Sequence, residues 1–211
     1  MNTPARCWIV GAGDFCARGF APAPGDWVVA ADGGLASLAQ IGVSPDAVVG
    51  DFDSLASPPE GAEVVRLPVE KDETDMLAAI RLGLERGFRD FRLYGGTGGR
   101  LDHTVANLQL LCYLSLRGAR GRLVDESCQF TAITDGELRF GAASTGVLSV
   151  FAPLGEARGV ALEGLRYPLE GATLRGDYPL GVSNAFVGRP ARASVASGTL
   201  LVALPHTAVE L

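Results

Sequence analysis

The sequence predicts a mixed α/β protein in which a mainly parallel, doubly wound sheet domain precedes a small all-β domain, an antiparallel sandwich or barrel. Three observations carry this expectation. Up to about residue 125, short and nearly continuous apolar runs alternate with helical patterns. Beyond it the runs turn short and alternating, split by Gly, Pro and Asp-Gly, and helical periodicity disappears. The chain has 211 residues and is 47% hydrophobic, enough for one large core or two small ones. Strands buried on both faces read as unbroken apolar runs, whereas sandwich strands alternate.

Taken in order, "RCWIVGAG" (6–13) and "WVVAADGG" (27–34) are buried strands closed by glycine turns, with "APAPGD" (21–26) a turn between them. "LASLAQIG" (35–42) is a short helix stopped by Gly42, and "DAVVGDFD" (46–53) and "AEVVRLP" (62–68) are two further strands. "ETDMLAAIRLGLERG" (73–87) sets Met76, Leu77, Ile80 and Leu84 at helical spacing, with Gly87 as its stop. After the strand "DFRLYGG" (90–96), "LDHTVANLQLLCYLSLRG" (101–118) is a helix expected to turn Val105, Leu108, Leu111 and Cys112 inward. "ARGRLVD" (119–125) returns a strand, and the domains are expected to be 1–125 and 126–211. In the second, "CQFTAITDGELRF", "GVLSVFAPLG", "GVALEGLRYPL" and "GTLLVALPH" are strands, and "TDGE" (134–137) signals a hairpin.

The formal net charge is −6 and no basic cluster occurs, which argues against a nucleic-acid binder. An anionic small ligand stays open, because a local site or a metal reverses the overall sign. The four cysteines, Cys7, Cys16, Cys112 and Cys128, lack CxxC or Cys/His metal spacing and read as buried thiols of a reducing compartment. The N-terminal apolar run is too short for a signal peptide, and no run approaches 18 apolar residues. The expectation is a soluble, cytoplasmic protein without a membrane partner.

Polar groups collect at strand ends, where doubly wound sheets bind ligands. Asp32, Gly33 and Gly34 follow one strand, and Asp51 and Asp53 the next. In an extended run those two carboxylates share a face, so a basic side chain, a metal ion or solvent must relieve their repulsion. Lys71, the sole lysine, stands in "KDETD" (71–75). There Asp72 and Asp75 fit the N-cap and third helical positions, and equally a hard-metal site beside Asp51 and Asp53. "GGTGGRLD" (95–102) leads straight into a helix. It is either a glycine turn with Asp102 as N-cap, or a backbone cradle for an anion completed by Arg100. His103 reads as an exposed first-turn residue and His206 as a surface one. Carboxylates for a divalent metal, a glycine-arginine cradle and a lone lysine at one sheet edge suit phosphoryl transfer from a nucleotide.

In sequence order, "ADGG" (31–34), "GDFDS" (50–54), "KDETD" (71–75), "GGTGGRLDH" (95–103) and "SN" (183–184) resemble the motifs of thiamine pyrophosphokinases, over almost the whole chain. The resemblance implies a catalytic α/β domain followed by an all-β domain. It also implies transfer of a pyrophosphoryl group from ATP to the thiamine hydroxyl. By motif position Asp51, Asp53 and Asp75 look like Mg²⁺ ligands. Lys71, Asp72, Thr74, Thr97, Arg100 and Asp102 look like ATP-site residues, with Asp32, Gly33, Gly34, Gly98 and Gly99 beside them. Arg100 and Asp102 join the three metal-site carboxylates as candidate catalytic residues. Ser183 and Asn184 look like thiamine contacts, and a homodimer with the substrate site between subunits is implied. Some members stack thiamine on a tryptophan of the β domain. Here Trp8 and Trp27 both lie in the first domain, which leaves Phe186 as the candidate ring.

Three rivals stand beside this reading. A haloacid-dehalogenase-type phosphatase shares "DFDS", but it needs a lysine well downstream, and Lys71 comes only 20 residues (71 − 51) after Asp51. A pyrophosphokinase for a pterin alcohol would not need "SN". A nucleotide sensor on a degenerate scaffold would lack carboxylates that are present here.

Overall fold

All four residues of the first strand, β1 (Cys7–Val10), are buried, as are the five of β2 (Trp27–Ala31). The chain continues through α1 (Gly34–Gln40), β3 (Ala47–Gly50), β4 (Glu63–Arg66), α2 (Asp75–Glu85), β5 (Asp90–Tyr94), α3 (Leu101–Ser115) and β6 (Arg120–Val124). A computed structural model describes residues 4–50, 61–66 and 72–211. It divides the chain into two units, Met1–Leu110 with Ala119–Glu126, and Leu111–Gly118 with Ser127–Leu211.

In the first unit the strands pair in the order β6-β5-β1-β2-β3-β4, all parallel. Alternate residues of each strand point to opposite faces, so both faces need cover. Leu38 of α1 joins Trp8, Val10, Val28, Ala30, Val48 and Tyr94 on one face. On the other, Gly83 of α2 lies against Phe91 and the Cys7 sulfur, leaving no room for a larger residue there.

Asp26 fastens the lower end of this sheet. Its carboxylate accepts from the Arg6 N–H and the Trp8 indole, each at 2.8 Å, and from the Ala23 N–H at 3.0 Å. Desolvation alone would raise its pKa, but the Ala23, Arg6 and Trp8 donors together outweigh it and hold the group below the usual carboxylate value. A lowered folded pKa stabilises the fold above the unfolded value of about 3.9, and this contribution is lost as pH falls through the folded value. Asp26→Asn should therefore be clearly less stable than wild type at pH 7, with the gap narrowing as pH falls below the unfolded value of about 3.9. Urea unfolding at the two pH values checks this.

The second unit holds β7 (Gln129–Thr134), β8 (Glu137–Phe140), β9 (Val147–Phe151), β10 (Glu156–Glu163), β11 (Leu169–Arg175), β12 (Asn184–Ala185), β13 (Ala191–Ser194) and β14 (Thr199–Leu204). Two antiparallel sheets result, β12-β9-β14-β7 and β11-β10-β13-β8. Inward residues of both, including Phe140, Leu148, Val150, Leu162, Leu200 and Val202, form one core. Emptying the Phe140 position, which is fully buried, would cost about 3–5 kcal/mol.

Three sequence expectations are corrected. "TDGE" does not close a hairpin, because β7 pairs with β14 while β8 pairs with β13. Asp135 (φ +48) instead turns the chain from one sheet to the other, fixed by its bonds to Gly198. Val105 is 58% exposed rather than inward, because the buried stripe of α3 runs through Asn107, Leu110, Leu111 and Leu114. Phe186 is a core residue with its ring edge-on to Phe140 at 5.2 Å, so it is not available to cover a ligand. No helix among the described residues is long and apolar enough to cross a membrane.

Candidate active site

In the first unit β1 lies between β2 and β5, the point where the chain stops adding strands on one side and begins on the other. Ligands of open parallel sheets bind outside the carboxyl ends of the strands at such a point. Two loops meet there. The N–H groups of Gly11, Gly13 and Asp14 donate to the carbonyl oxygens of Tyr94, Gly95 and Thr97, each at 2.8 Å. The β1–β5 pairing thus runs on past both strand ends.

This approach dictates the glycines. Gly95 has φ +58, and a Cβ on it would sit 2.3 Å from the Gly11 carbonyl oxygen. Gly98 has φ +78, and its Cβ would sit 2.2 Å from the Asp14 Oδ2. Buried Asn107 donates its amide to the Gly96 carbonyl at 2.8 Å, bracing the loop from α3. The Thr97 hydroxyl donates to Asp125 Oδ2 at 2.6 Å, which leaves its backbone as its offer to a ligand. Gly98, Gly99 and the first turn of α3 follow, so backbone N–H groups and a helix N-terminus face the same edge.

Arg100 occupies the N-cap position of α3, its carbonyl accepting from Thr104 at 3.2 Å. Asp102 therefore lies in the first turn and is not the N-cap. Its carboxylate takes the Arg100 guanidinium in two bonds, at 3.2 and 2.5 Å. The Arg100 hydrogen bond holds the Asp102 carboxyl below its usual range, and Asp102 in turn raises the guanidinium further. Both side chains are exposed, so the pair orients Arg100 more than it stabilises the fold.

Asp32 directly follows β2 with φ +50, a conformation uncommon outside glycine, and its N–H donates to the Val49 carbonyl at 2.9 Å. Gly33 is the N-cap of α1 and packs on Ala12, while a Cβ on Gly34 would meet the Val10 carbonyl at 1.8 Å. The structure thus brings Asp32, Gly33 and Gly34 against the loop after β1. Gly50 ends β3 at this same edge. Asp51, Asp53 and Lys71 lie outside the described residues.

Thr74, not Asp72, caps α2, its hydroxyl accepting from the Leu77 N–H at 3.2 Å. Asp72 is exposed two residues earlier, and Asp75 is the half-buried first helical residue. Thr74→Ala should cost about 1 kcal/mol of stability, read by urea unfolding, whatever it does to nucleotide binding. Among the described residues no three His, Cys, Asp or Glu side chains form a metal cage. The Asp75 carboxylate is a hard oxygen donor of the type Mg²⁺ takes.

In the second unit, exposed Ser183 has φ +62 and donates its N–H to the Ser149 hydroxyl at 3.0 Å. Asn184 is 3% exposed. Its Oδ1 accepts from the N–H groups of Tyr167 and Ala185, both at 2.9 Å, and its Nδ2 donates to the Tyr167 carbonyl at 2.6 Å. Both polar ends of the Tyr167 backbone are therefore pinned while its ring stays 59% exposed.

Sequence reasoning passed over Gly11, Gly13, Asp14, Asn107, Asp125 and Tyr167. "GAGD" directly after an apolar strand, and an Asn on the apolar stripe of a helix, were the available signals. An aromatic in "GLRYPL", facing away from an alternating core, was the third.

Two family profiles match the chain: "Thiamin pyrophosphokinase, catalytic domain" over residues 23–120 and "Thiamin pyrophosphokinase, vitamin B1 binding domain" over 147–200. A thiamine pyrophosphokinase of Bacillus subtilis is 28% identical over 181 residues, covering 82% of this chain and 85% of that one. The crystal structure of a Bacillus subtilis thiamine pyrophosphokinase superposes with a TM-score of 0.84 at 24% identity, over 95% of this chain and 98% of that one. A Geobacillus thermodenitrificans thiamin pyrophosphokinase gives 0.80 at 28% identity, over 95% and 97%. The yeast enzyme, at 14% identity and 0.78, shares the fold over 97% and 87%.

Proposed function

Because the chain belongs to the thiamine pyrophosphokinase family, we propose that it transfers the terminal pyrophosphoryl group of ATP to the hydroxyl of thiamine, releasing AMP. The observation that carries this reading is the glycine cradle at the β1–β5 switch point, knit to the loop after β1 and opening onto the N-terminus of α3. Such a cradle presents N–H donors to phosphate oxygens at no side-chain cost.

In the proposed reaction the thiamine oxygen attacks the β-phosphorus of ATP in line. The bond from that phosphorus to the α,β-bridging oxygen breaks, AMP departs, and the hydroxyl proton passes to a carboxylate of the site. Arg100, aligned by Asp102, and the backbone N–H groups from Gly98 onward hold the phosphates as charge moves toward AMP. Lys71, Asp72 and Thr74 belong to the same nucleotide site in this reading. Asp51, Asp53 and Asp75 would hold Mg²⁺, which supplies charge neutralisation at the phosphates. Ser183 contacts thiamine, and Asn184 acts with it by fixing Tyr167, whose exposed ring replaces Phe186 as the surface for an aromatic substrate. Domain roles follow: nucleotide in the first unit, thiamine in the second, in a cytoplasmic homodimer. The exposed Leu101 and Val105 of α3, and Val147, Val182 and Val187 of the second unit, are apolar surface a partner subunit would cover.

The test is incubation with ATP, Mg²⁺ and thiamine, with identification of the products. AMP and thiamine diphosphate are expected. ADP with a monophosphate would overturn the reaction type, and AMP formed only with a pterin alcohol would overturn the acceptor.

A further inference from the structure

The carboxylate of Asp14 has no part in the roles described so far, yet it lies against the cradle at Gly98. Its backbone N–H is bound to the Thr97 carbonyl at 2.8 Å, and its Oδ2 lies where a side chain on Gly98 would have to go. Position 98 must be glycine both for its φ of +78 and to admit this carboxylate. Among the described residues no cation or N–H group bonds to it, and the Arg100 guanidinium is taken up in two bonds by Asp102. An exposed acceptor pair thus stands beside Gly98 at the switch point of the sheet.

Within the proposed nucleotide site its chemistry narrows the choice of ligand group. A carboxylate only accepts hydrogen bonds, and beside a polyphosphate it repels like charge. It therefore suits a neutral donor pair on the nucleotide. The two vicinal hydroxyls of a ribose match the two oxygens of one carboxylate. We propose that Asp14 binds the 2′- and 3′-hydroxyls of the nucleotide ribose, so that the glycine cradle takes the phosphates and the loop after β1 selects a ribonucleotide. This rests on the nucleotide-site reading, but not on the identity of the acceptor alcohol.

Equilibrium binding of Mg²⁺–ATP and Mg²⁺–2′,3′-dideoxy-ATP, without thiamine, tests it. Wild type should prefer ATP about tenfold. Asp14→Ala, checked for an unchanged melting profile, should bind both nucleotides alike, and Asp14→Asn, which keeps one acceptor, should fall between. An unchanged preference in Asp14→Ala would overturn the proposal, as would equal weakening for both nucleotides. So would a changed ATP-to-GTP ratio or a changed Mg²⁺ requirement with the ribose preference intact. Ribose discrimination without any thiamine-dependent AMP would leave this assignment standing and remove the proposed acceptor. A wild type that binds neither nucleotide would remove both.

Discussion

Asp75→Asn is expected to lower turnover about a thousandfold while leaving the fold in place. Asp75 is the first residue of α2, just after the Thr74 cap, where asparagine is sterically equivalent and helix formation is barely disturbed. The loss of one negative charge at a helix N-terminus costs about 0.3–1 kcal/mol, a small part of a domain's stability. The chemical cost is larger. Replacing a charged oxygen donor of the proposed metal set by a neutral amide oxygen weakens metal binding and with it the charge stabilisation of the transferring group, worth several kcal/mol. Turnover measured against Mg²⁺ concentration should show a lower plateau and a rightward shift, alongside a urea midpoint lowered only slightly. Near-normal turnover at limiting Mg²⁺ would remove Asp75 from the ligand set. Asp51→Asn should behave in the same way.

Gly95→Ala is expected to act on the fold itself, by about 3–5 kcal/mol. A non-glycine residue held at φ +58 costs about 1–2 kcal/mol, and a methyl group forced to 2.3 Å from the Gly11 carbonyl adds an overpacking term of similar or larger size. The gap between the loops after β1 and β5 would have to open, breaking the Gly11 and Gly13 hydrogen bonds that join them. Gly99→Ala is the control. Gly99 shares the φ of +58 but has nothing within 4 Å of its Cβ position, so only the conformational term, about 1–2 kcal/mol, should remain. Paired urea curves read the difference. If the two variants were equally stable, close approach would not be the reason for glycine at position 95.

The parallel sheet was legible because buried strands leave an unmistakable apolar run, and because glycine stops such as Gly42 and Gly87 bound the helices between them. What was not legible was pairing over distance. Asp135-Gly136 has the composition of a tight hairpin, and only the sheets on either side decide that it turns a corner instead. Val105 fits a helical stripe as well as Asn107 does. A hydrophobicity pattern prefers the valine, whereas the structure buries the asparagine to hold the Gly96 carbonyl. The same limit hid Asp14, because a carboxylate after a strand has no periodicity. Its importance lies in a contact with a glycine 84 positions (98 − 14) further on. Asn184 was legible as a motif residue, but its hold on Tyr167 was not. A backbone anchor and a ligand contact call for the same amide.

The placement of β14 has a consequence for how the chain is made. This strand lies between β7 and β9 and pairs with both, although it follows each of them in the chain. Thr134 of β7 meets a partner 65 residues later. During synthesis β7 and β9 emerge before β14 and have no neighbour between them until it has left the ribosome, so this sheet waits on a strand made later. Slow, non-local pairing of this kind leaves strand edges open to other chains. A product truncated before Thr199 would keep those edges permanently, so a premature stop ahead of β14 is expected to yield an aggregating protein.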